Sequence, residues 1–171
     1  APRGLSAASE AAYGRRVARR RRTDYPGDLH HVTVRGNRRQ AIFVGPDDAV
    51  LDRLQYLRFE AEAASRHGFR LLAGCLMTNH LHLVIAADQP TLSEAMKWLL
   101  QMHAQRFNLV HEVDGHLVQG RFWSRPIHDD RYLGNAIAYT LRNPVDARIT
   151  RTAAAYRWSS CAALLGLEPA P

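Results

Sequence analysis

Segments of two hydrophobic periods alternate along this chain in one order, and that order limits the fold more than any other feature. Residues 30–34, 70–77, 80–87 and 121–127 are short runs of strand character, rich in aliphatic and aromatic side chains. Residues 49–67, 92–112 and 131–141 carry apolar side chains at helical spacing. In the first these are Val50, Leu51, Leu54, Leu57 and Ala61; in the second, Met96, Leu99, Leu100, His103 and Phe107. Pro46-Asp47-Asp48 offers a start for the first helix and Gly68 a stop, Thr91 or Ser93 starts the second, Asp129-Asp130 caps the third, and Pro144 is expected to end it. The order is strand, helix, strand, strand, helix, strand, helix. It predicts the α+β class on a ferredoxin-like split βαβ plan, an antiparallel sheet with helices on one face and a further helix near the C-terminus. The first and third strands are then central neighbours. Thr78-Asn79 is the tight connection of a hairpin, and Pro126 marks the fourth strand as an edge or a bulge.

The third strand contains His80-Leu81-His82. Strand side chains alternate, so both imidazoles project from one face and Leu81 from the other. Two imidazoles on one rigid strand make half of a divalent-metal site, although such a pair alone is a weak signal. The third helix adds a second element. Tyr139 and Asn143 are four residues apart, on one helical face. A phenol with an ordinary pKa of about 10 is a poor nucleophile, and a phosphodiester, with its negative oxygens, is a poor electrophile. A divalent cation on a non-bridging oxygen addresses the second problem, and attack by Tyr139 gives a covalent phosphotyrosine. The ligating nitrogens must be unprotonated, so such a site weakens in mild acid.

Charge points toward polyanions. The net charge is +7 and the sequence pI about 10.1. Lys97 is the only lysine among 23 basic residues, and guanidinium forks phosphate and stacks on bases as ammonium does not. A GC-rich coding sequence gives the same bias, so composition leaves both explanations open. Cys75 and Cys161 have no metal-ligand spacing and read as buried thiols of a reducing compartment. No apolar run approaches the roughly 20 residues of a membrane span, and no secretory signal is expected at the start.

Here the chain resembles a known family. His80-Leu81-His82 matches the His-hydrophobic-His motif of the HUH endonucleases, and Tyr139 with Asn143-Pro144-Val145 matches the catalytic-helix motif of single-tyrosine transposases. The context Met77-Thr78-Asn79-His80-Leu81-His82-Leu83, the first-strand His31-Val32-Thr33-Val34-Arg35-Gly36-Asn37 and the late Trp158-Ser159-Ser160 resemble the REP-associated tyrosine transposases within the IS200-like group. The likeness runs from about residue 25 to 166. It implies a DNA endonuclease and strand transferase that cuts single-stranded or hairpin DNA (REP-like palindromes) through a 5′-phosphotyrosine, with Mg²⁺ or Mn²⁺. His80, His82 and Asn143 are the implied metal ligands and Tyr139 the nucleophile. A cytoplasmic, nucleoid-associated bacterial protein acting as monomer or homodimer is implied as well. Asn143 precedes Pro144, which disfavours helical backbone there, so a capping role competes with ligation. Tyr132, seven residues earlier on roughly the same face, is the other candidate phenol.

The remaining basic residues divide into groups. Residues 1–26 hold a dense arginine cluster and read as a flexible arm; residues 27–171 form the catalytic domain. Arg35, Asn37, Arg38 and Arg39 surround a Gly-containing turn and are expected to contact nucleic acid. Arg121, Trp123 and Arg125 alternate cation and ring, a pattern for stacking unpaired bases, with Phe122 or Trp123 turned into the core by alternation. One of His30 and His31 can point toward the metal face, but strand-edge hydrogen bonding is the favoured expectation for both. His103 and His111 read as core-edge and surface residues, and Trp158 as core. A catalytically silent hairpin DNA- or RNA-binding protein is the competing function. A hydrolase of small phosphate esters is disfavoured, because Asp88 lies too far along the strand to share an ion with His82.

Overall fold

The computed structural model describes residues 26–44 and 48–167. The expected arm at 1–26, save its last residue, lies outside them, as do Pro46 and Asp47. Four strands, β1 (Asp28–Arg35), β2 (Phe69–Leu76), β3 (His80–Ala87) and β4 (Trp123–Ile127), form one sheet in the order β2-β3-β1-β4. Every neighbouring pair is antiparallel. Helices α1 (Asp48–His67) and α2 (Leu92–Val110) follow β1 and β3, α3 (Asp130–Asp146) follows β4, and α4 (Cys161–Leu164) is a single turn. The α+β ferredoxin-like plan expected from the sequence is the observed one.

Alternation sorts the core. Leu81, Leu83, Ile85 and Ala87 of β3, with Val32 and Val34 of β1, face α1 and α2 and join Tyr56, Ala63, Leu92, Ala95, Met96, Leu99 and Phe107 in the main core. Leu81, Leu83 and Ile85 are each fully buried, which stabilises the fold by about 1.5–3 kcal/mol apiece. The other sheet face is covered by α3 and, at the end of β2, by the segment carrying Tyr156, which clusters with Cys75 and Met77. There Ala136, Leu133, Ile137 and Leu141 pack on Ala73, Val84 and Ile127. The helices on one face are thus α1 and α2, whereas the C-terminal helix crosses the opposite one, the face onto which His80 and His82 project.

Two local expectations need correction. Pro144 does not end α3; it lies inside the helix, buried, and the helix continues to Asp146. Proline lacks the N–H that would reach the carbonyl of residue 140. Asn143 compensates, its Nδ2 donating to the carbonyls of Tyr139 at 2.8 Å and Thr140 at 3.5 Å. In α1 the buried face is offset from the expected apolar stripe. Leu51 is exposed, while Asp52, Arg53, Tyr56 and Glu60 are buried. Polar partners make this possible: Asp52 accepts from the Val44 N–H and faces the His111 ring, and Arg53 donates to the Leu76 carbonyl while lying over Phe43 and Trp158.

Both sheet edges are managed. On β2, the segment after the last 3₁₀ turn pairs along the strand, with Leu76 N–H to the Trp158 carbonyl at 2.8 Å and Ser160 N–H to the Gly74 carbonyl at 3.0 Å. The other edge is β4, where Pro126 sits opposite His30, as its missing donor requires.

Candidate active site

Strand register assembles the site before any helix arrives. In the β1–β3 ladder Arg35 lies opposite His80, Thr33 opposite His82 and His31 opposite Val84; in the β1–β4 ladder Thr33 lies opposite Trp123 and His31 opposite Arg125. His31, Thr33, Arg35, His80, His82, Trp123 and Arg125 therefore share one face. His31 is the correction here. It does not serve the strand edge; it turns inward to the face of His80 and His82, and its Nε2 lies 3.3 Å from His82 Nδ1. His30, one residue out of phase, points into the main core side and meets Ser124 Oγ at 3.2 Å.

Helix α3 closes the site. Asp129 caps it by accepting from the Tyr132 N–H at 2.7 Å. Tyr139 is then carried over the imidazoles, its ring centroid 5.3 Å from that of His82 and 5.7 Å from that of His31, both edge-on. The phenol is half exposed. Tyr132 lies elsewhere: its ring packs toward Ile127 and stacks beneath the Arg125 guanidinium at 4.7 Å. Of the two candidate phenols, only Tyr139 is at the histidines.

The imidazoles are held in their neutral, electron-donating form. Burial is the main cause for His82, helped by the neighbouring His80, His31 and Arg35, and pushes it down to about 3. Burial also lowers His80, against a hydrogen bond that the Asn143 side chain accepts from the ring, and lowers His31, with Arg125 adding to the effect. His82 Nδ1 is engaged by Thr33 Oγ1 at 3.1 Å and by His31; His80 Nδ1 is engaged by Asn79 Oδ1 at 2.7 Å. Both rings thereby leave Nε2 as the ligating atom, the arrangement outer hydrogen bonds impose on metal-binding histidine. Asn143 spends its nitrogen on its own helix and sits beside His80, so its oxygen is the atom it could offer to a cation. Among the described residues no three His, Cys, Asp or Glu side chains form a metal cluster. A cation here would be offered two imidazole nitrogens and an amide oxygen, with water and phosphate to complete its shell. Such a neutral mixed set fits a divalent ion that is bound together with its anionic substrate.

The expected nucleic-acid residues fall in two places. Arg35 borders His80 on the site face, and Arg38 and Arg39 are exposed on the turn that follows β1. Trp123 is exposed beside His31, ring centroids 5.8 Å apart, while Phe122 is buried. Arg121 is displaced from this group; it precedes β4 and lines, with Phe122, a cavity of about 940 Å³ against α2. The other histidines lie deeper than the core-edge and surface places expected of them: His103 is fully buried, with Nε2 2.9 Å from the Ile42 carbonyl oxygen, and His111 is largely buried against Asp52. Sequence reading passed over Thr33 and Asn79. The register with His82 points to the first; the second stands beside His80 in the quoted motif, but no local pattern announces its bond to Arg39.

Among solved structures, the chain is similar to a REP-associated tyrosine transposase bound to a REP hairpin, with TM-score 0.69 and 19% identity over 90% of this chain and 89% of that one. At that identity the likeness is one of fold. A candidate transposase from Deinococcus radiodurans R1 is more distant, with TM-score 0.48 and 16% identity over 71% of this chain and 95% of that one. No curated protein matches. The family model described as "Transposase IS200 like" matches residues 26–132, a span that holds both motif histidines and stops seven residues before Tyr139. That match covers more than half of the sequence, and the chain belongs to the IS200-like transposase family.

Proposed function

We propose that this protein is a DNA endonuclease and strand transferase that cuts single-stranded or hairpin DNA through Tyr139, with Mg²⁺ or Mn²⁺ at His80, His82 and Asn143. The observation that carries this reading is the half-exposed Tyr139 ring lying edge-on to both His82 and His31. The cation, when bound, withdraws charge from a non-bridging phosphate oxygen and orients the phosphorus for in-line displacement. The chain's own residues do the rest. Tyr139 Oη gives up its proton and forms the bond to phosphorus, the bond to the 3′ oxygen breaks, and that oxygen takes up a proton and leaves as the 3′ hydroxyl. The 5′ phosphate stays on the tyrosine, and the reverse reaction rejoins the strand. Helix α3 is anchored by its capped N-terminus and its packing on Ala73, Val84 and Ile127, which fixes the phenol against the sheet. Arg35, Asn37, Arg38 and Arg39 hold backbone phosphates, and Trp123 and Arg125 receive an unpaired base by stacking. The neighbouring fold that carries a REP hairpin favours a palindromic hairpin as the DNA partner.

The test uses a fluorescently labelled hairpin DNA, Mn²⁺ or Mg²⁺, and a denaturing gel. The wild-type chain should yield a covalent protein–DNA adduct, and Tyr139→Phe none while binding the hairpin within about twofold. An adduct in Tyr139→Phe removes Tyr139 from the role. Tight, salt-sensitive hairpin binding with no adduct in either metal leaves a silent binding protein instead.

A further inference from the structure

The turn after β1 and the connection between β2 and β3 meet at one side chain. Asn79 Nδ2 donates to the Arg39 carbonyl at 3.1 Å, and Asn79 Oδ1 lies 2.7 Å from His80 Nδ1. A peptide carbonyl only accepts, so the nitrogen end of the carboxamide must face Arg39. The oxygen end is thereby aimed at His80, and it too only accepts. The Asn79 bond therefore places the His80 proton on Nδ1 and the lone pair at Nε2, in competition with the Asn143 side chain, which also hydrogen-bonds this ring as an acceptor.

The turn itself is tightly determined. Arg38 and Arg39 both have left-handed backbone, φ 51° and 63°, unusual for residues with a Cβ. Gly36 allows the close return of the chain, since a Cβ there would stand 2.0 Å from the Gln40 carbonyl oxygen. Gly36 N–H donates to the Asn79 carbonyl and Ile42 N–H to the Thr78 carbonyl, each at 2.8 Å. A strained, arginine-bearing turn is thus docked on the residue that orients a metal-site histidine.

We propose that Asn79 is a positioning residue with two ends: one sets the His80 tautomer, the other ties that tautomer to the conformation of the Arg38–Arg39 turn. Nucleic-acid phosphate on the turn and a divalent cation at His80 then favour each other, reciprocally. The tautomer statement stands on the hydrogen bonds alone; the coupling statement rests on the function proposed above. Neutral imidazole in water prefers the proton on Nε2, which would aim an N–H at the cation. Asn79 reverses that preference.

The experiment uses the full chain with ¹⁵N-labelled histidine, free of metal, at about pH 8. Long-range ¹H–¹⁵N correlation NMR reports which nitrogen of His80 bears the proton. The expected result is Nδ1–H in the wild type and in Asn79→Asp, which keeps the acceptor, and a shift to mainly Nε2–H in Asn79→Ala. Asn79→Asp loses the donor to Arg39, so it separates the two ends. Wild-type hairpin affinity should tighten roughly fivefold or more on adding Mn²⁺, the low end of ordinary coupling between sites, while Asn79→Asp shows about twofold or less. Nε2–H in the wild type, or an unchanged tautomer in Asn79→Ala, overturns the tautomer assignment. Equal Mn²⁺ enhancement in wild type and Asn79→Asp overturns the coupling. A wild type that forms the Tyr139 adduct with the wrong tautomer sinks this proposal and spares the strand-transfer reading. The right tautomer without an adduct does the reverse.

Discussion

Two buried groups should tilt the pH dependence of stability in opposite directions, so over the range where both titrate each is visible only when the other is removed. His82 is 5% exposed and its pKa falls from 6.5 to about 3 on folding. The unfolded chain therefore takes up a proton at His82 first as the pH drops below 6.5. Stability is lost at about 1.4 kcal/mol per pH unit, about 5 kcal/mol by pH 3. Glu60 is 6% exposed, its Oε1 buried without a hydrogen-bond partner, and burial raises its pKa from 4.5 to about 7. Its contribution is complete below pH 4.5 and is lost as the pH rises through 7, about 3 kcal/mol in total. Between pH 4.5 and 6.5 the two slopes cancel. Burial of His31, His80 and His103 lowers all three, adding to the His82 side. The assay is urea unfolding in chelator, followed by tryptophan fluorescence, for wild type, Glu60→Gln and His82→Gln. The stability advantage of wild type over His82→Gln should grow by about 3 kcal/mol from pH 4.5 to 6.5. Its difference from Glu60→Gln should move the other way, by about 3 kcal/mol from pH 4.5 to 7. If both differences stay flat to within about 0.5 kcal/mol, neither group is held in its neutral form by burial, and the electrostatic account of the site fails with them.

Gly36→Ala should destabilise the chain by about 1–3 kcal/mol, because the backbone at Gln40 must retreat, and should weaken hairpin binding more than it weakens folding; thermal unfolding and a binding titration read the two effects. Asp129→Ala removes the cap of α3 and should lower stability by about 1 kcal/mol, measured by urea unfolding, with adduct formation falling because the phenol loses its anchor.

Element types and order were legible in the sequence because each element carries its own period. The strand run 80–87 was placed residue for residue, and α2 buries the side chains its spacing singled out, from Met96 to Phe107. Where side chains break the pattern, the buried face is not legible from spacing. In α1 the leucines mark one face, yet the helix buries Asp52, Tyr56 and Glu60, since Val44, His111 and Arg53's neighbours form a polar seam no local pattern announces. At Pro144 the general rule against proline in helices met a carboxamide one residue earlier that replaces the missing donor.

For the site, alternation alone determined that His80 and His82 share a face, and helical spacing that Tyr139 and Asn143 share another; both are properties of a single element. Which face of the sheet α3 would cover, and hence that phenol and imidazoles would meet, depended on packing between elements. So did the inward turn of His31, which follows from the register of β1 against β3 and not from its neighbours in the chain. Asn79 shows the same limit most plainly. Its two hydrogen bonds reach a residue 40 positions away and the very next one. Only the folded chain brings the three together, because contact over such a separation is set by the sheet and not by any local preference of the backbone.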